Sequence, residues 1–325
     1  MSREVFERQH EAQWTALDLS LARLEGRQGA RSVPADLPEL YRQVCHHLAL
    51  VRHRRYGADL ELRLNRLVLR GHQQIYQGQT HQGQSGGFAG IVDFARRGFP
   101  RLVRSEKRLV GLSALLFAAP LLLMTVFVPH HPEVAFSVLP PATVEQMGQQ
   151  FSPGGSLEAG RPVDSDVLMF GFYINNNIGI AFRTFATGIL GGVGSIFFLV
   201  YNGLVIGTVT GYIREMGFAP QFFPFAIGHG AFELTAIVLS GAAGLRLGLA
   251  LLSPGPVSRG RALQQAGRIS IRILYGAAGM LVVAAFLEAF WSPLPQPAAT
   301  KYGIGAVLWV SVLFYLTLGG RQRGS

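Results

Sequence analysis

Leu109 to Val128 reads LVGLSALLFAAPLLLMTVFV, twenty residues without a charge. A bilayer hydrocarbon core about 30 Å thick needs roughly twenty such residues to cross as a helix. This stretch therefore predicts a membrane span. Three neighbours have the same character: Ser195 to Ile213 (SIFFLVYNGLVIGTVTGYI), Ile273 to Phe290 and Ile304 to Leu318. Phe222 to Leu252 is equally apolar apart from Glu233 and Arg246, and Glu288 is the charge near the end of the 273–290 window. The fold class that follows is all-α, a polytopic helical membrane protein.

Composition agrees only when it is read by region. The chain has 325 residues, 49% hydrophobic, and a net charge of +10. Residues 1 to 108 carry 18 Lys+Arg and 11 Asp+Glu, and the other two-thirds only 11 and 8. Forty glycines, mostly in the apolar part, point to close helix packing in lipid. The stretch MSREVFERQHEAQW is charged throughout and lacks an apolar h-region, so no cleavable signal peptide is expected in it. Cys45 has no second cysteine to pair with and is expected to be an idle thiol.

Upstream of the first span the pattern is that of a small soluble bundle over 1–78. Val5, Phe6, Trp14, Leu17, Leu21 and Leu24 recur near a helical period. A second helix is expected from Leu37 to Gly57, with Asp36 as a cap and Pro38 at its entry, and a third from Ala58 to about Gln77. His46, His47, His53 and His72 lie here. Neighbouring helical positions point roughly 100° apart, so they read as solvated or capping residues. The polar glycine-rich stretch 79–87 is expected to be a flexible linker. Over 88–108 an apolar stripe of Phe88, Ile91, Val92, Ala95, Phe99, Leu102 and Val103 is flanked by Arg96, Arg97, Arg101 and Arg104. That combination suggests an interfacial helix with its arginines on anionic lipid headgroups. Packing on the N-terminal bundle is the alternative.

Charge orients the array. The arginines before the first span put the N-terminal domain in the cytoplasm. The segment 129–166 holds Glu133, Glu145, Glu158, Asp164 and Asp166 against Arg161 and is expected outside as an acidic loop. The basic segment 253–272 and the tail 321–325 are expected inside. Parity then requires an odd number of crossings between 167 and 252. The extra one is assigned to VLMFGFYINNNIGIAFRTFATG, 167–188, polar at Asn175, Asn176 and Asn177. The transmembrane domain 109–320 then has six helices. Five, with 167–183 re-entrant, is the rival.

The middle of the chain, INNNIGIAFRTFATGILGG (174–192), YNGLVIGTVTGYIREMGF (201–218) and GHGAFELTAIVLSGAAGLRLG (228–248), resembles the stage II sporulation protein M family of bacterial membrane proteins. The resemblance implies a membrane scaffold that works with peptidoglycan-remodelling proteins, here with an added N-terminal domain expected to recruit a protein partner. It implies no cofactor.

His229 and Glu233, four apart, share a helix face. A zinc protease places two histidines on one face, and only one is present, so the spacing assigns no metal. Ionisable groups in lipid face the protein interior and pair. Asn175, Asn176, Asn177, Arg183, Tyr201 and Asn202 are the available partners. The cluster reads either as a polar pocket or proton path, or as an interhelical hydrogen-bond clamp. Gly203, Gly207 and Gly211 line one face of their span, and Gly244 and Gly248 one face of theirs, suited to close helix approach. No phosphate loop or nucleophile elbow is present, and a loose cation site at Asp164 and Asp166 is less expected than a solvated loop. Arginines alternating with acids in the N-terminal domain give no reason to invoke nucleic acid. The leading expectation is a non-enzymatic scaffold. The alternative is a transporter or channel built on His229 and Glu233, with an intramembrane enzyme a weaker third. Self-association of the chain is left open.

Overall fold

The computed structural model describes residues 2–26, 36–81, 88–155 and 163–321, and every described element is helical. The chain divides into two compact units, Met1–Val92 and Asp93–Ser325.

The first unit packs α1 (Arg3–Gly26), α2 (Leu37–Arg54) and α3 (Ala58–His81) around Phe6, Trp14, Leu17, Leu21, Val44, Leu48 and Leu64. Leu37 opens α2 with Pro38 in its first turn, where a missing N–H costs nothing. Asp36 makes no side-chain cap there. Ion pairs stitch the outside, with Arg63 on Glu11 and Arg70 on both Asp18 and Glu25. His47 is buried, 6% exposed, and accepts the Trp14 indole N–H at 3.2 Å, so it is a core residue and not a solvated one. The third helix runs on through residues 79–81, the start of the expected linker. The remainder of that linker, 82–87, lies outside the described residues.

Among the described residues of the second unit, five helices are long and apolar enough to cross a membrane. They are α6 (Lys107–Phe127), α10 (Val193–Glu215), α11 (Ala219–Leu252), α12 (Arg259–Phe286) and α13 (Ala298–Leu318). Between the first two of these lie α7 (Ala135–Val138), α8 (Pro141–Phe151) and α9 (Val163–Ala186). At 24 residues, α9 reaches about 36 Å, a membrane thickness, and it packs against α11 and α12. On α6, Ser113, Phe117 and Met124 turn inward while Leu115, Leu122, Leu123 and Val126 stay exposed. Exposed apolar faces on this scale mark a lipid-facing surface.

Glycine sets the approach of the helices. On α10, a Cβ at Gly203 would lie 2.3 Å from the Phe117 carbonyl oxygen of α6, and one at Gly207 2.4 Å from that of Leu121. A Cβ at Gly211 would meet the Met124 carbonyl oxygen at 2.8 Å. On α11, a Cβ at Gly244 would lie 2.1 Å from Ser195 Oγ, and one at Gly248 2.1 Å from the Gly192 nitrogen. Gly192 itself has φ +86°, a turn conformation that suits glycine. Serine hydroxyls bridge further helix pairs: Ser113 donates to Val238 O, Ser195 to Thr184 O and Ser270 to Ala243 O. The charge noted at Arg246 is paired, its Nη1 lying 2.6 Å from Glu106 Oε2 just before α6.

The arginine-flanked segment forms α4 (Phe88–Asp93), a π-turn at Phe94–Gly98 and α5 (Phe99–Ser105). Phe99 and Val103 are buried in the core of the membrane unit, and α5 packs on α12 and α13. Arg101 donates to Gly320 O at 2.6 Å and Arg104 to Leu316 O at 3.2 Å, so both cap the end of α13. Arg97 pairs with Asp93, and Arg96 is exposed. The basic segment 253–272 is helical from Arg259, capped by the Ser258 hydroxyl, which accepts from the Arg261 N–H. The acidic segment, expected as a loop, folds through α7 and α8, and Ala135, Leu139, Met147 and Phe151 pack on Met124, Tyr212 and Phe225.

Candidate functional site

Halfway along α11, Gly228, His229 and Glu233 face the end of α12. Here α12 does not stop as an α-helix but widens into a π-turn, Leu287–Trp291. Such turns are frequent at functional positions. Gly228 makes the fit possible: a Cβ there would stand 2.5 Å from the Trp291 ring. With Trp291 seated on that glycine, Glu288 comes to His229 and Glu233. One ligand atom from each of the three lies within 4.8 Å of the others.

His229 is 6% exposed, and its Nδ1 lies 3.1 Å from the hydroxyl of fully buried Ser292. Lys301 Nζ donates to the Ser292 carbonyl at 2.7 Å. The imidazole also packs edge-on against Phe225. Among the described residues no hydrogen bond or ion pair engages the Glu233 carboxyl. All three cluster residues line a cavity of about 790 Å³. Its walls are Tyr173 and Phe172 of α9, Thr210 of α10, Phe222 and Phe225 of α11 and Trp309 of α13, and Gln146, Gln149 and Gln150 of α8 contribute amides. The cavity therefore belongs to the face of the bundle that carries the acidic 129–166 segment.

Of the residues singled out from sequence, only His229 and Glu233 meet there. Asn176 donates to the Asn177 side-chain oxygen at 3.2 Å, Asn177 is buried with its Nδ2 unpaired, and Asn175 and Asn176 are exposed on α9. Asn202 turns back onto Phe198 O of its own helix, and Arg183 onto Gly179 O. Arg183 lies ten residues beyond cavity-lining Tyr173, about 15 Å further along α9, so it does not share the depth of Glu233. Tyr201 is exposed. Asp164 lies where side chains are not described.

Glu288 and the α8 glutamines were missed. Glu288 had a legible signal, since an acid near the end of one apolar window and another within a second are natural neighbours in lipid. Their register could not be read, because it depends on the π-turn.

A family model described as stage II sporulation protein M matches residues 113–293, more than half of the chain and inclusive of His229, Glu233, Glu288 and Ser292. A second model, described as Domain of unknown function (DUF8413), matches residues 4–77. Neither the curated proteins nor the solved structures returned a match. The membrane-spanning part of this sequence, from its glycine-spaced helices to its His/Glu helix, therefore has a family: the chain belongs to the stage II sporulation protein M family.

Proposed function

We propose that this protein is a six-pass inner-membrane protein, both termini cytoplasmic, that admits a cation or a proton to an intramembrane acid–imidazole cluster and passes it across the bilayer. One observation carries the reading: the 790 Å³ cavity whose polar lining ends on His229, Glu233 and Glu288. A clamp that only fixes helices would bury its polar groups against one another, since a buried unpaired carboxylate costs several kcal/mol. Here the Glu233 carboxyl faces open volume instead. On the charge pattern the cavity opens to the outside. The test is flux. Proteoliposomes carrying a pH-sensitive dye and a divalent-cation indicator are given opposing proton and metal gradients. Wild-type protein should dissipate one of them faster than empty vesicles, and Glu233→Gln should not. Wild-type flux equal to that of empty vesicles would end the proposal.

A second reading has its own observation, the separate core of the first unit and its match to a different family model. In that reading residues 1–81 dock a protein partner and the membrane unit serves as its scaffold, without enzymatic activity. Deleting 1–87 would then abolish partner localisation while leaving flux unchanged.

A further inference from the structure

We infer that His229, Glu233 and Glu288 bind one divalent transition-metal ion, with zinc the best match to the donor set. This rests on the reading of the cavity as an entry path for cations, and it names which cation and which atoms.

The donors come from two helices and lie within 4.8 Å of one another, so a small side-chain contraction brings them to the roughly 3.5 Å separation of tetrahedral ligands on bonds of about 2.0–2.2 Å. One imidazole with two carboxylates is a set that zinc accepts, leaving a fourth position for water or an exchanging ligand. The cavity supplies the room for that position. Magnesium and calcium prefer all-oxygen shells, and the imidazole argues against them.

The surroundings of His229 are those of a ligand. Metal-binding imidazoles hold their second nitrogen on a hydrogen-bond partner, which fixes ring orientation and tautomer. Nδ1 has that partner in Ser292 Oγ. Ser292 is itself held through its carbonyl by Lys301. Nε2 has no hydrogen-bond partner among the described residues, on a ring only 6% exposed. It is the nitrogen left for the ion. His229 lines the cavity beside Glu233 and Glu288, where a divalent cation would take the free nitrogen and offset the repulsion between the carboxylates. The backbone adds a second observation: a π-turn delivers Glu288 at the end of α12, and such turns are frequent at functional sites.

The test is metal binding by the full chain, purified in detergent without a histidine tag and stripped with chelator. Zn²⁺ is added, excess is dialysed away and bound metal is counted by mass spectrometry. The N-terminal histidines are a constant background, so the reading is a difference between variants. Wild type should retain one more zinc per chain than Glu233→Gln or Glu288→Gln. The Co²⁺-loaded wild type should give an intense four-coordinate visible band that both variants lack. Ser292→Ala keeps every ligand and should weaken binding by roughly 10- to 100-fold. Equal zinc in wild type and Glu233→Gln, or unchanged affinity in Glu288→Gln, overturns the site. Displacement of zinc by an equal concentration of Mg²⁺ or Ca²⁺ overturns the metal assignment. Zinc bound without flux sinks the transport reading and leaves this site standing. Flux without any retained zinc does the reverse.

Discussion

Replacing Gly207 by alanine tests the packing account, because two effects of opposite sign can be compared. In a helix interior alanine is favoured over glycine by about 0.8–1 kcal/mol. Against that, the new Cβ would lie 2.4 Å from the Leu121 carbonyl oxygen and 2.9 Å from its Cα, where ordinary contacts begin at 3.4 Å. Both neighbours are backbone, so no side chain can swing away. Either α6 retreats by about 1 Å, forfeiting a quarter to a half of each contact along that seam, or strain of about 1–3 kcal/mol is stored. The retreat would also loosen Gly203 and Gly211 on the same face. Relief of the clash outweighs propensity, and Gly207→Ala should destabilise the membrane unit by about 1–2 kcal/mol net. Gly230 is the control, since a Cβ there meets nothing within 4 Å. Gly230→Ala should be neutral or stabilising by up to about 1 kcal/mol. Reversible unfolding in mixed detergent micelles measures both. Equal stabilities would refute the claim that glycine sets the distance between α6 and α10.

Two other perturbations follow from the same structure. The Arg246–Glu106 pair has its acid 11% exposed, so Arg246→Ala should cost about 2–4 kcal/mol, and a double-mutant cycle with Glu106→Gln should recover part of it. In the first unit, burial, then the neighbouring His10 and His46, hold the His47 imidazole down at about 4 against an ordinary 6.5. The unfolded state therefore binds the proton first as pH falls. Stability is complete above about 6.5 and is lost between there and about 4, by about 1–2 kcal/mol. Urea unfolding of a 1–87 fragment at pH 7 and 4.5 measures this, and His47→Gln should flatten the slope. A slope unchanged in that variant would remove His47 as the cause.

The spans were legible because lipid leaves helices as the main solution for long uncharged runs. The glycine faces were legible because a period of four on a helix is geometry. Pairings between elements were not. Glu106 lies outside every apolar window, so nothing in sequence ties it to Arg246. The arginines of α5 sit in a pattern that suits headgroups equally well, and only the fold reveals Gly320 O and Leu316 O as acceptors for Arg101 and Arg104. At the site, spacing on one helix gave His229 and Glu233. The third group arrives on α12 through a π-turn that has no sequence code, and the cavity's glutamines come from a segment that composition marks only as polar.

Everything proposed for function depends on water reaching the cluster. Cys45 is the single cysteine, so Cys45→Ser gives a thiol-free background, and Gly230 lines the cavity with room for a side chain. Gly230→Cys in that background should react with a membrane-impermeant maleimide added from the face that carries residues 129–155. Zn²⁺ should slow the reaction, and Glu233→Gln should remove that protection. A thiol at position 230 that stays unmodified in folded protein, yet reacts after denaturation, would contradict the account.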